Sequence, residues 1–103
     1  MDRIEKLKQF LESNPLDAFI QHALALEYVK LGEDGPAERL FSAILAHDPG
    51  YTGTYYHLAK LLERTNRNED ALRVYRQGIE ACRKSGDLHA LRELQNAYED
   101  LLY

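Results

Sequence analysis

Three things are scarce in this chain, and each scarcity removes a class of function. Basic charge comes first: 13 Lys and Arg stand against 17 Asp and Glu, a formal net charge of −4. A general nucleic-acid binder needs cationic side chains in excess to neutralise phosphates. Nucleic acid is therefore not an expected partner, and adhesion to an anionic membrane surface is disfavoured on the same ground. Cysteine comes second: Cys82 is the only one, so no internal disulfide forms and nothing implies an oxidising compartment. Long apolar runs come third. No stretch approaches the ~20 residues that span a bilayer, and the start, Met1-Asp2-Arg3-Ile4-Glu5-Lys6, lacks the continuous apolar segment of a secretory signal. The expected location is the cytoplasm.

Strand-type alternation is also missing, and helical periodicity fills the chain instead. At 103 residues, with 45% hydrophobic and 29% charged side chains, the sequence fits one ordinary globular domain. A first helix is expected over residues 2–13, with Asp2 as N-cap and Ile4, Leu7, Phe10 and Leu11 as its apolar stripe. Asn14-Pro15 ends it, because the residue before proline is steered out of the helical region. A second helix runs over about residues 16–31, with Leu16, Ile20, Leu24, Ala25, Tyr28 and Leu31 apolar, and Gly32 suits a left-handed cap. Pro36 is tolerated in the first turn of a third helix, which buries Ala37, Leu40, Phe41, Ile44 and Leu45 and stops at His47-Asp48-Pro49-Gly50. A fourth helix (about 52–64), a fifth (about 68–84) and a sixth from Leu88 onward follow. Asn66 replaces Gly32 as a left-handed cap, and the sixth helix places Leu88, Leu91, Leu94, Tyr98 and Leu101 on one side. Links of two to four residues are those of antiparallel helix pairs, so the fold class is all-α with about six helices.

The second and third helices are one pattern, and the fourth and fifth repeat it. Gln21, Leu24, Ala25, Tyr28, Ala37 and Phe41 recur as Tyr55, Leu58, Ala59, Leu62, Ala71 and Tyr75, each pair ~34 residues apart. The small residues let two backbones approach, and the large ones interdigitate beside them. These residues closely resemble the tetratricopeptide repeat family, of the small stand-alone bacterial type. Its pattern places an aromatic, Leu, Gly or Ala and Tyr on helix A, then Ala, an aromatic and Pro on helix B. Repeat one matches through Leu24, Ala25, Tyr28, Gly32, Ala37, Phe41 and Pro49; its departure is Gln21 at the usual aromatic, with Phe19 or Ile20 as the substitute. Repeat two lacks the glycine and the proline. The last helix fits a third helix A after a shift of about two residues.

The resemblance implies a single domain over residues 1–103: a half-repeat helix (1–14), repeat one (18–49), repeat two (52–85) and a capping helix (87–103). It implies antiparallel helix-turn-helix units stacked as a short right-handed superhelix. The implied activity is that of an adaptor, binding a peptide or partner protein in a groove lined by A helices. Carried onto this chain, the groove residues are Phe19, His22, Leu26, Val29 and Lys30, then Tyr56, His57, Lys60, Glu63 and Arg64. Lys60 and Arg64 favour an acidic peptide. The Lys, Asn and Arg clamp of chaperone-binding relatives has no counterpart, since His22, Leu26 and His57 stand in its places.

Other chemistry finds little support. His22, His57 and His89 sit on three different helices without i, i+4 pairing, so no metal site is expected. Cys82 precedes Arg83 and Lys84, which would lower a thiol pKa, but a small hydrophobe in a helix seam is the expected role. No phosphate loop, GxSxG elbow or HExxH motif occurs; neither catalysis nor a cofactor is implied. The alternative function is structural: a monomer or weak homodimer, self-associating through Leu101, Leu102 and Tyr103 with the cluster Tyr51, Tyr55 and Tyr56.

Overall fold

The computed structural model describes residues 2–103, and Met1 lies outside them. Among the described residues there are six helices and no strand: α1 (Arg3–Ser13), α2 (Ala18–Lys30), α3 (Asp34–His47), α4 (Gly53–Arg64), α5 (Asn68–Ser85) and α6 (Leu88–Leu102). They fall into two compact units, the first ending at Asp48 and the second running from Pro49 to Tyr103.

In the first unit α1 packs on α2, and α2 pairs antiparallel with α3. Asp2 caps α1, its carboxylate accepting from the Glu5 N–H at 2.8 Å. Asp17 does the same for α2, accepting from Ile20 N–H at 3.1 Å. That cap places Leu16 outside the helix, 67% exposed, which corrects its expected place on the apolar stripe. Leu24, Ala25, Ala37, Phe41 and Ile44 form the buried seam. Phe10 and Leu31, also expected on stripes, are 57% and 63% exposed. Phe10 lies at the margin of a face that covers only one neighbouring helix, and Leu31 falls at the C-cap, beyond the last packed turn.

In the second unit α4 pairs with α5, and α6 packs on α5 and touches α4. Tyr55, Leu58, Ala59, Leu61 and Leu62 face Ala71, Val74, Tyr75, Ile79 and Cys82 in the core. The two A helices end alike. Gly32 N–H donates to Val29 O and Glu33 N–H to Tyr28 O; 34 residues on, Asn66 N–H donates to Glu63 O and Arg67 N–H to Leu62 O. Gly32 has φ +75° and Asn66 +61°, the left-handed conformation that this paired-bond cap requires.

The buried line of α6 is Ala90, Leu94 and Ala97. Leu88, expected on it, is 69% exposed as the first residue after the Asp87 cap. Ala90, Leu94 and Ala97 stand 36 residues after Thr54, Leu58 and Leu61, so α6 repeats the A-helix register with two residues inserted. The change falls at the helix end and the link after it: α5 has 18 residues where α3 has 14 and ends at Gly86 with φ +77°, while the link shortens from residues 48–52 to residues 86–87.

Candidate functional site

Burial of Thr54, Tyr55, Leu58, Ala59, Leu61 and Leu62 leaves one flank of α4 for other work. It carries Tyr56, His57, Lys60, Glu63 and Arg64, neighbours by their three- and four-residue spacing. Lys60 Nζ lies 5.7 Å from the centroid of the Tyr56 ring and 3.5 Å from Glu63 Oε2. The same Glu63 oxygen accepts a hydrogen bond from the Tyr75 hydroxyl on α5. Glu63 is thus held by a phenol from the core and in turn holds the ammonium over the aromatic face. The Tyr56 and His57 rings meet edge-on, 5.8 Å apart.

Electrostatics follow from that geometry. Burial, then the hydrogen bond and charge of Glu63, push the Tyr75 phenol far above its ordinary value, with Tyr56 and Asp100 adding to the effect. Tyr75 therefore stays a donor at any physiological pH. Burial lowers the pKa of His57, against a smaller upward pull from Glu93 on α6. This flank is a prearranged mixture of aromatic face and charge rather than a set of freely solvated side chains.

The expected groove residues of the first unit are arranged differently. His22 stands where Tyr56 does in the repeat, but its ring packs 5.6 Å from buried Phe41. Lys30 pairs with Glu27 at 3.0 Å, and Glu27 also draws Arg3 to 3.6 Å. Leu26 and Val29 are half-buried, while Phe19 is 70% exposed. Leu26 replaces Lys60 and Val29 replaces Glu63 in the pattern, so the Lys60–Tyr56 arrangement is not repeated; in this unit the ammonium over a ring is that of Lys8 on α1, 6.0 Å from the centroid of Tyr28.

Some structural roles were not anticipated. Gln21 is 5% exposed; its amide nitrogen donates to the Pro15 carbonyl at 3.1 Å, and its oxygen pairs with His47 Nε2 at 2.9 Å. The Tyr55 hydroxyl donates to the Pro49 carbonyl at 2.5 Å. Both donors lie six residues after their proline, so Gln21 itself fills the aromatic position, and neither Phe19 nor Ile20 substitutes for it. The shared proline-to-donor spacing was the available signal. Tyr55, only 4% exposed, is unavailable to a tyrosine association patch, which corrects that part of the self-association reading. Cys82 is fully buried, and burial, then Asp87, pushes its thiol pKa up; it fills the seam and is not activated by Arg83 and Lys84. Asp87 caps α6 through Ala90 N–H and accepts from Thr52 Oγ1 at 2.7 Å. Among the described residues no group of three or more His, Cys, Asp or Glu could hold a metal ion.

Paired antiparallel helices repeating one register, with a polar and aromatic flank on an A helix, define a helical-repeat scaffold. A family model described as tetratricopeptide repeat matches residues 35–94, more than half of the chain, and the chain belongs to that family. Such proteins generally bind other proteins through a groove lined by their A helices, and they are typically non-catalytic. The crystal structure of a tetratricopeptide repeat domain protein from Salinibacter ruber is 45% identical, with a TM-score of 0.79 over 82% of this chain and 94% of that one. The solution structure of a protein from Bordetella parapertussis, 22% identical, matches in fold with a TM-score of 0.84 over 99% of this chain and 89% of its own. The mouse interferon-induced protein with tetratricopeptide repeats 3 is 24% identical over 88 residues, 85% of this chain. The chain spans 22% of that relative's length.

Proposed function

We propose that this chain is a protein-interaction adaptor whose ligand surface in the second unit is the flank of α4 bearing Tyr56, His57, Lys60 and Arg64. The observation that carries the reading is the fixed array Tyr75–Glu63–Lys60–Tyr56. An ordered aromatic face and a pre-positioned cation lose little side-chain freedom on binding, and Tyr and Arg are frequent interface anchors. In the first unit, Phe19, His22, Leu26 and Lys30 make a second, more apolar contact surface.

The ligand is a short peptide segment with an apolar or aromatic side chain against Tyr56 and an acidic group near Arg64 and Lys60. Because Glu63 already neutralises part of the Lys60 charge, the acidic preference is modest and weakens with salt. Selection of random peptides on the immobilised protein tests this. Peptides recovered should lose about tenfold or more in affinity when Tyr56, Lys60 and Arg64 are all replaced by Ala. Unchanged affinity for the triple variant would remove the α4 flank as the binding surface.

A further inference from the structure

The register of α6 has a consequence for its outer face. Within the second unit, Tyr55, Ala59 and Leu62 are the α4 residues buried beneath its partner α5. Thirty-six residues later stand Leu91, Gln95 and Tyr98. All three are half-buried, and no helix of the described residues covers them from outside. Leu88, 69% exposed, and Leu102, 44% exposed, extend the same face by one turn at either end. Residues 88, 91, 95, 98 and 102 follow the alternating three- and four-residue spacing of a helix–helix seam. Beside it runs a groove of about 430 Å³, lined by Arg76, Ile79 and Arg83 of α5 and Gln95, Tyr98 and Glu99 of α6.

The charges on this face are complementary to themselves. Arg92 and Glu99 lie one turn to either side of Gln95, on the same flank of the seam, and both are exposed. In a two-fold antiparallel helix pair crossing near Gln95, the flanking position before the centre meets the one after it on the other helix. Arg92 then faces Glu99 of the second copy, twice over. Leu88 meets Leu102 by the same symmetry, and Gln95 meets its own image, where two amides satisfy each other's donors and acceptors. We infer that the outer face of α6 is a homodimer interface, an antiparallel α6–α6 pair centred near Gln95 and locked by two Arg92–Glu99 ion pairs.

The occupant is a second copy because the symmetry satisfies both the apolar seam and its charges without any other partner. The interface is distinct from the flank assigned to ligand, so association and peptide binding are separable. A single pair of helices this short lies at the small end of interface sizes, about 1,200 Å² or below, so the dimer is concentration-dependent.

The test is sedimentation equilibrium of the full chain over a wide concentration range, with circular dichroism to confirm that each variant remains helical. Wild-type protein should show a monomer–dimer equilibrium. Arg92→Glu and Glu99→Arg should each raise the dissociation constant by roughly tenfold or more, through like-charge juxtaposition. The double variant, R92E with E99R, should return it to near the wild-type value. Leu88→Glu, at an exposed position that leaves the fold intact, should abolish the dimer. A wild-type protein that stays monomeric throughout overturns the inference, leaving the α6 face for a different helix. So does a dimer indifferent to the reversals, or one that the double variant fails to restore.

Discussion

Gly78 shows how one residue reconciles two repeats that differ in size. A Cβ built there would lie 2.6 Å from Tyr55 Cβ and 2.9 Å from Leu94 Cδ1, distances that no side-chain rotation relieves at the Tyr55 end. Repeat one has Ile44, fully buried, at the equivalent position, and there the facing residue is the slimmer Gln21. Volume is exchanged across the seam: Tyr with Gly in one repeat, Gln with Ile in the other. Alanine favours a helix over glycine by up to ~1 kcal/mol, but overpacking a closed core costs about 1–3 kcal/mol. Gly78→Ala should therefore lower stability on balance, and urea denaturation monitored by circular dichroism should show an earlier midpoint with little change in slope. The sequence signalled none of this, because a glycine inside a helical pattern reads as a weak spot until the neighbour that needs its space is known.

At the level of the element, helix ends were more legible than helix faces. Asp2 as a cap, the stop at Asn14-Pro15, and the left-handed Gly32 and Asn66 were all readable, since capping depends on a few contiguous residues. The faces were not, because which of Leu16, Phe10, Leu31 or Leu88 is covered depends on where the neighbouring helix ends. Two substitutions test the shared cap. Gly32→Ala forces a side chain into φ +75° and should cost about 1 kcal/mol. Asn66→Gly relaxes φ +61° and should be neutral or slightly stabilising. Thermal melts of both variants would show opposite or unequal displacements; equal losses would mean that the two caps are not equivalent.

For the molecule as a whole, acid stability should fall in two stages. His57 has a folded-state pKa below its ordinary 6.5 because burial disfavours its charge. Its neutral form costs nothing extra above that pH, and stability is lost as pH falls below about 6.5 through the lowered folded value. Asp87 is shifted in the same direction at lower pH, for a different cause: hydrogen bonds from Thr52 and from Ala90 N–H hold its carboxyl below the ordinary 3.8. Its contribution is complete above that value and disappears on further acidification. Denaturation midpoints measured from pH 8 to pH 3 should show both stages, and His57→Gln should remove the first while leaving the second.

The sequence by itself determined the repeat period, the six helices, the ends marked by Asp2, Asn14-Pro15, Gly32 and Asn66, and the family, because each rests on local spacing and on residues small or large enough to be recognised singly. It also nominated Tyr56, Lys60 and Arg64, through the family resemblance carried onto those positions. Only the tertiary structure decided that Tyr75 fixes the Glu63 that holds Lys60, that the His22 ring packs against Phe41, and that Gln21 does the work of a tyrosine. Those outcomes depend on side chains from different helices meeting, Tyr75 on Glu63, Phe41 against His22 and His47 on Gln21, and helical periodicity carries no information about what stands on the other side of the seam.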